Sequence, residues 1–177
     1  MDIQTAYQQA LLFAAQKHTA IDQKLPGTDL PYVVHISNVA MEILSAADSG
    51  AFDKVYAVQL ALLHDTLEDT TTTFEELENT FGIEVANGVV ALTKDMSLAK
   101  ENKMQDSLDR IRRMRKEVWA VKMADRITNL QRPPNFWDNE KKIAYRGEAA
   151  VILRELKEGN EYLADRLATK ILEYAEY

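Results

Sequence analysis

Apolar positions along this chain recur at intervals of three and four over most of its length, the period of an α-helix with one buried face. Tyr7, Ala10, Leu11, Ala14 and His18 lie on one such stripe and predict a first helix. Pro26 and Gly27 break a loop from about residue 20 to residue 30, and Pro31 suits the first position of a second helix. On that helix His35, Val39 and Ile43 are four apart. A third helix is predicted from about Phe52 through the pair Glu68-Asp69; it is apolar all round and therefore central. Thr73 and Glu76 read as a capping box for a short helix ending near Gly82, and Thr70 to Thr73 as a turn and cap. Further helices are predicted over about 84–92, around Met104, Leu108, Ile111 and Arg115, and over Trp119 to Leu130. Two more follow, over about 138–157 and 161–176, with Pro133, Pro134 and Gly159 as breaks. Almost nothing alternates as a strand would. The expectation is all-α, a single helical domain over residues 1–177.

Composition narrows the function. The chain has 177 residues, enough for one well-buried core and short for two. It shows no internal repeat, low-complexity segment or linker. A formal net charge of -7 argues against coating nucleic acid, which needs a basic footprint, but leaves room for a small anionic substrate in a locally basic pocket. The absence of cysteine excludes disulfides, thiolate nucleophiles and cysteine-based zinc sites. No apolar run approaches the ~18 residues of a membrane span, and no signal-like segment opens the chain. A cytoplasmic protein with no membrane or nucleic-acid partner is expected.

The three histidines are not spread evenly, and one of them sits among carboxylates. In LALLHDTLEDT a His64-Asp65 doublet is followed by Glu68-Asp69. On a continuous helix His64 would share a face with Glu68, and Asp65 with Asp69. His35 in PYVVHISNVA and Asp125 in VWAVKMADRITNL complete two imidazoles and two carboxylates, a donor set suited to a divalent transition metal. Lys122, Asp125 and Asn129 share one helical face, so Lys122 and Asn129 are expected to point at whatever the metal holds. Glu68 and Asp69, left off the metal, are placed for acid–base work on water and leaving group. Acidic residues at a helix C-terminus oppose its dipole, so their position needs a reason beyond local stability.

The ordered set His35, His64-Asp65, Glu68-Asp69 and Asp125-x-x-x-Asn129 resembles the HD-domain hydrolases of the RelA/SpoT type. The flanking segments AAQKH, LPYVVH, FGIEVANGVVALTKD and VKMADRITNL are similar too, from about Ala14 to Leu130. What remains is too short for a synthetase domain or regulatory tail, so the resemblance is to a stand-alone small alarmone hydrolase. It implies an HD-domain helical bundle that removes the 3′-pyrophosphate of (p)ppGpp using one Mn²⁺ held by His35, His64, Asp65 and Asp125. It further implies Glu68 and Asp69 as the catalytic doublet. Lys24, Tyr32, Lys122 and Asn129 match substrate contacts, with Lys94, Lys141 and Tyr145 as further phosphate-gripping candidates.

One position departs from the pattern. Where the family carries Arg-Lys before a Gly-x-Pro-Tyr stretch, this chain has Gln23-Lys24 and the longer LPGTDLPY. Glutamine offers no planar cation to a purine face, so the base stays open between guanine and adenine. NADPH is an alternative substrate for the same site, and a non-catalytic nucleotide sensor is the alternative of another class. Among the remaining features, His18 is expected to be structural or exposed, the basic run from Arg110 to Lys116 a solvated face, and Phe136-Trp137 a seal over a loop.

Overall fold

The computed structural model describes residues 1–46 and 52–177. Its helices are α1 (Ile3–Ala20), α2 (Val33–Ser45), α3 (Lys54–Leu63), α4 (Thr66–Asp69), α5 (Phe74–Phe81), α6 (Ile83–Leu92), α7 (Lys100–Arg112), α8 (Lys116–Asn129), α9 (Asn139–Leu156) and α10 (Glu161–Glu173). Among the described residues the only extended pairing is an isolated bridge between Lys24 and Pro31. The fold is all-α, as the periodicity predicts.

α3 sits at the centre. Every residue from Tyr56 to Leu63 is buried, and α1, α2, α6 and α8 all pack on it. The deepest stripe of α1 is Ala6, Ala10, Ala14 and His18, which shares Ala10, Ala14 and His18 with the predicted one; small side chains let α1 approach α3 closely. Tyr7 and Leu11 flank that line. α8 is buried almost throughout, and Gly159 docks the start of α10 on it. A Cβ at Gly159 would stand 2.6 Å from the Trp119 Cβ and 3.2 Å from the Ala120 amide nitrogen, so only glycine fits.

Four predicted features differ. The third helix does not run on to Glu68-Asp69: it breaks at His64-Asp65 and restarts as α4. The Thr66 hydroxyl donates to the Leu63 carbonyl at 2.7 Å, and His64 Nδ1 donates to the Ala61 carbonyl at 2.8 Å. Side chains thus take carbonyls that the next helical turn would use. α7 stops at Arg112; Arg115 instead precedes α8, 3.3 Å from Glu117 and 3.4 Å from Asp53. The run Arg110 to Lys116 is also not uniformly solvated, since Arg110 donates to the carbonyls of Val90 at 2.7 Å and Thr93 at 2.8 Å, closing the end of α6. The Thr73 cap forms as expected, its hydroxyl accepting from the Glu76 amide. Glu76 does not complete the box, because its carboxylate is taken by Lys17 at 2.5 Å. Among the described residues no helix is long and apolar enough to cross a membrane.

Candidate metal centre and active site

Three elements converge at the end of α3. α2 contributes His35, the helix break contributes His64 and Asp65, and α8 contributes Asp125. His64 Nε2 lies 2.9 Å from Asp65 Oδ2 and 3.7 Å from Asp125 Oδ1. His35 Nε2 lies 3.5 Å from Asp125 Oδ1, 3.7 Å from Asp65 Oδ2 and 3.4 Å from His64 Nε2. The break in the helix does chemical work here: with Nδ1 of His64 donating to Ala61, Nε2 faces the cluster.

Each carboxylate is held by donors of its own. Tyr32 donates its hydroxyl to Asp65 Oδ2 at 2.5 Å, Asn129 its amide to Asp125 Oδ1 at 2.5 Å, and Lys122 its ammonium to Asp125 Oδ2 at 3.2 Å. Burial opposes ionisation of both acids, yet His64 beside Asp65 and Lys122 beside Asp125 hold both below the usual carboxylate range. Burial pulls His64 down, and the two carboxylates outweigh it, pushing the imidazole up to about 10. Burial, then Asp65, keeps the Tyr32 phenol protonated far above its ordinary range. Donor atoms of His35, His64 and Asp125 all lie within 4.8 Å of one another, and the mixed nitrogen–oxygen set fits a divalent first-row cation.

Glu68 and Asp69 stand one turn on, on α4, and each is tied to a different loop. Glu68 accepts from the Lys94 amide at 3.0 Å and from its ammonium at 2.8 Å. That bond outweighs the effect of burial and raises the Lys94 pKa. Asp69 accepts from the Gln23 amide at 2.8 Å; burial raises its pKa and the Gln23 bond opposes the rise.

Beside the cluster opens a cavity of about 580 Å³. His35 lies on its wall, with residues 25–28 and 131–137, Tyr32, Asn129 and Tyr145 around it. Trp137 meets Tyr145 edge-on at 5.2 Å, and the Arg126 guanidinium stacks 4.3 Å from the centre of the Tyr145 ring. Phe136 does not seal the loop: it is 75% exposed at the cavity rim.

The structure brings Tyr32, Asn129 and Tyr145 to the cavity wall and engages the expected lysines with partners within the protein. Lys24 pairs with Asp22 at 2.5 Å, Lys94 with Glu68, and Lys141 lies 4.2 Å from the centre of the Trp137 ring. Lys122 and Asn129 both grip Asp125 rather than pointing past it, because a buried carboxylate needs donors on both oxygens. Sequence reasoning missed two partners. Arg126 is a buried charge in an apolar helix, a signal that was there to be used. His18 is buried beside the site and hydrogen-bonded to Gln23, which its place on an apolar stripe does not reveal.

A model of the HD domain family matches residues 10–156. The chain is 37% identical over 166 residues to guanosine-3′,5′-bis(diphosphate) 3′-pyrophosphohydrolase MESH1 of Danio rerio, covering 91% of this chain and 89% of that protein. This chain is an HD phosphohydrolase of the RelA/SpoT type. The HD hydrolase is also 33% identical over 160 residues to MESH1 of Homo sapiens, covering 88% of this chain and 87% of that protein. Its fold matches the solved structure of a metazoan ortholog of SpoT that hydrolyses ppGpp, with a TM-score of 0.80, 27% identity, and coverage of 95% of this chain and 94% of that one.

Proposed function

We propose that this HD hydrolase removes the 3′-pyrophosphate of (p)ppGpp, giving GDP or GTP and pyrophosphate, with one Mn²⁺ held by His35, His64, Asp65 and Asp125. The observation that carries the reading is the convergence of two imidazole nitrogens and two carboxylate oxygens at 2.9 to 3.7 Å, with an acidic doublet held one turn away. The names of the MESH1 relatives and of the SpoT ortholog point to the same substrate.

A bound divalent cation supplies Lewis acidity toward a phosphoryl oxygen. The chain supplies the rest. His64, locked by the Ala61 carbonyl, presents Nε2 without rearrangement; Tyr32, Lys122 and Asn129 keep Asp65 and Asp125 from turning away. Asp69 takes a proton from the attacking water as the water oxygen bonds to phosphorus. The bond between that phosphorus and the ribose 3′-oxygen breaks, and the departing oxygen receives a proton from the Glu68–Asp69 pair. Lys94, already against Glu68, is the near cation for charge developing on the phosphate. Tyr145 and the aromatic loop around Trp137 form the apolar side of the nucleotide cavity.

The test is a panel of ppGpp, ppApp and NADPH offered to Mn²⁺-loaded protein, with products separated by anion exchange. GDP and pyrophosphate from ppGpp, lost on chelation and restored by Mn²⁺, is the expected result. Phosphate release from NADPH alone would overturn the substrate, and a metal-loaded protein inert toward all three would put the sensor reading ahead of the hydrolase. Comparison of ppGpp with ppApp reads the base preference.

A further inference from the structure

The segment joining α1 to α2 is built around Gln23. Asp22 takes a left-handed turn at φ 51°, after which the Gln23 amide donates to the His18 carbonyl at 3.1 Å and the Gln23 carbonyl accepts from the Tyr32 amide at 3.1 Å. With its backbone pinned on both sides, the side chain reaches α4 on one hand and α1 on the other. Its Nε2 lies 2.8 Å from Asp69 Oδ2 and its Oε1 lies 2.6 Å from His18 Nδ1. His18 is 1% exposed, its ring lies 4.8 Å from that of Tyr32 at a tilt of 44°, and its Nε2 is buried without a partner.

The hydrogen-bond directions follow from what each group can do. A carboxylate only accepts, so the Gln23 NH₂ must face Asp69 and its carbonyl must face His18. A carbonyl only accepts, so His18 Nδ1 must carry the proton. The buried, unpartnered Nε2 is then a bare nitrogen rather than an orphaned N–H donor. Both ends of the chain of bonds demand the same tautomer.

We propose that Gln23 is a positioning residue, which holds the Asp69 carboxylate in its working orientation by tethering it to a buried His18 in the Nδ1–H form. The inference rests on the reading of Asp69 as part of the acid–base pair. Gln23 therefore does more than replace a base-stacking cation: both ends of its amide are committed to protein, and it does not line the nucleotide cavity. An untethered aspartate can swing by an ångström or more, which costs on the order of 100-fold where a proton must be taken from a placed water.

Three variants and one spectroscopic reading test this. Gln23→Leu keeps a branched side chain, one atom shorter, and deletes both bonds; kcat on ppGpp should fall by roughly 10- to 100-fold with KM and metal content little changed. His18→Leu should lose about 10-fold in kcat, because it leaves the Gln23 carbonyl unheld. His18→Asn should recover most of that loss, since its amide nitrogen stands where Nδ1 stood and still donates. In the metal-free full-length protein, ¹⁵N spectra of His18 should show Nδ1–H and a bare Nε2, and Gln23→Leu should abolish that preference. An Nε2–H tautomer in the wild type, an unchanged kcat in Gln23→Leu, or a loss confined to KM each overturns the tether. A wild type that leaves ppGpp intact overturns the substrate reading instead, and the tether's catalytic meaning with it.

Discussion

α3 and α8 lie side by side in the core and both lead side chains to the same histidine–aspartate cluster, yet they are built on opposite rules. From Tyr56 to Leu63 α3 is buried, and in that stretch Gln59 is the one polar side chain apart from the Tyr56 hydroxyl; the chemistry begins only where the helix breaks. α8 buries Glu117, Lys122, Asp125 and Arg126 along its length. Each of those charges has an opposite partner: Arg115 for Glu117 at 3.3 Å, Asp125 for Lys122 at 3.2 Å, Glu148 for Arg126 at 3.3 Å. A helix of the first kind is held by shape and can be damaged without touching chemistry. In the second kind stability and chemistry use the same atoms, because a buried charge deprived of its partner is costly.

The largest effect should come from the helix with charges. Asp125→Ala removes a proposed metal donor and strands Lys122 at once, so metal content should fall to background and stability by about 3–5 kcal/mol in a denaturant titration. A variant that keeps its metal would show that the centre does not depend on α8. Next come Glu68→Ala and Asp69→Ala on the short helix between them. Each should cut turnover of ppGpp by about 10²- to 10⁴-fold while metal analysis reads as wild type, since neither side chain faces the ligand cluster. Normal turnover in both would remove the acid–base assignment.

Damage to α3 should look different. Leu62→Ala leaves a cavity in a fully buried position and should cost about 2–5 kcal/mol, with kcat per folded molecule and metal content unchanged. Equal loss of metal in Leu62→Ala and Asp125→Ala would break the contrast. The smallest effect is alkaline. Burial, opposed by Arg115 over its ring, pushes Tyr56 up to about 12, so the folded chain keeps a proton that the unfolded chain gives up near its ordinary value of about 10. That share of stability is present below pH 10 and is lost as pH rises through 12; thermal melts of Tyr56→Phe should fall less steeply over the same window.

The helices were legible because periodicity is a local property. Thr73, Gly82 and Pro133 also punctuate the chain through their own backbone preferences. The break after α3 was not legible, because nothing in the run VQLALLHDTLED lowers helix propensity enough to announce it. It arises when the Thr66 hydroxyl and His64 Nδ1 win two backbone carbonyls, and they keep them because the break aims His64 at residues from two other helices.

What the residues determined by themselves is therefore the helical class, the apolar core and the inventory of chemical groups: two imidazoles, the carboxylates and the lysines near them. Residue type and spacing carry that information before any folding. Tertiary structure decided which of those groups face the cavity and which are spent on one another. Glu68 meets Lys94 across 26 positions and Asp69 meets Gln23 across 46, so the competition between a substrate phosphate and a protein carboxylate for the same donor is set by distances that exist only once the helices have packed.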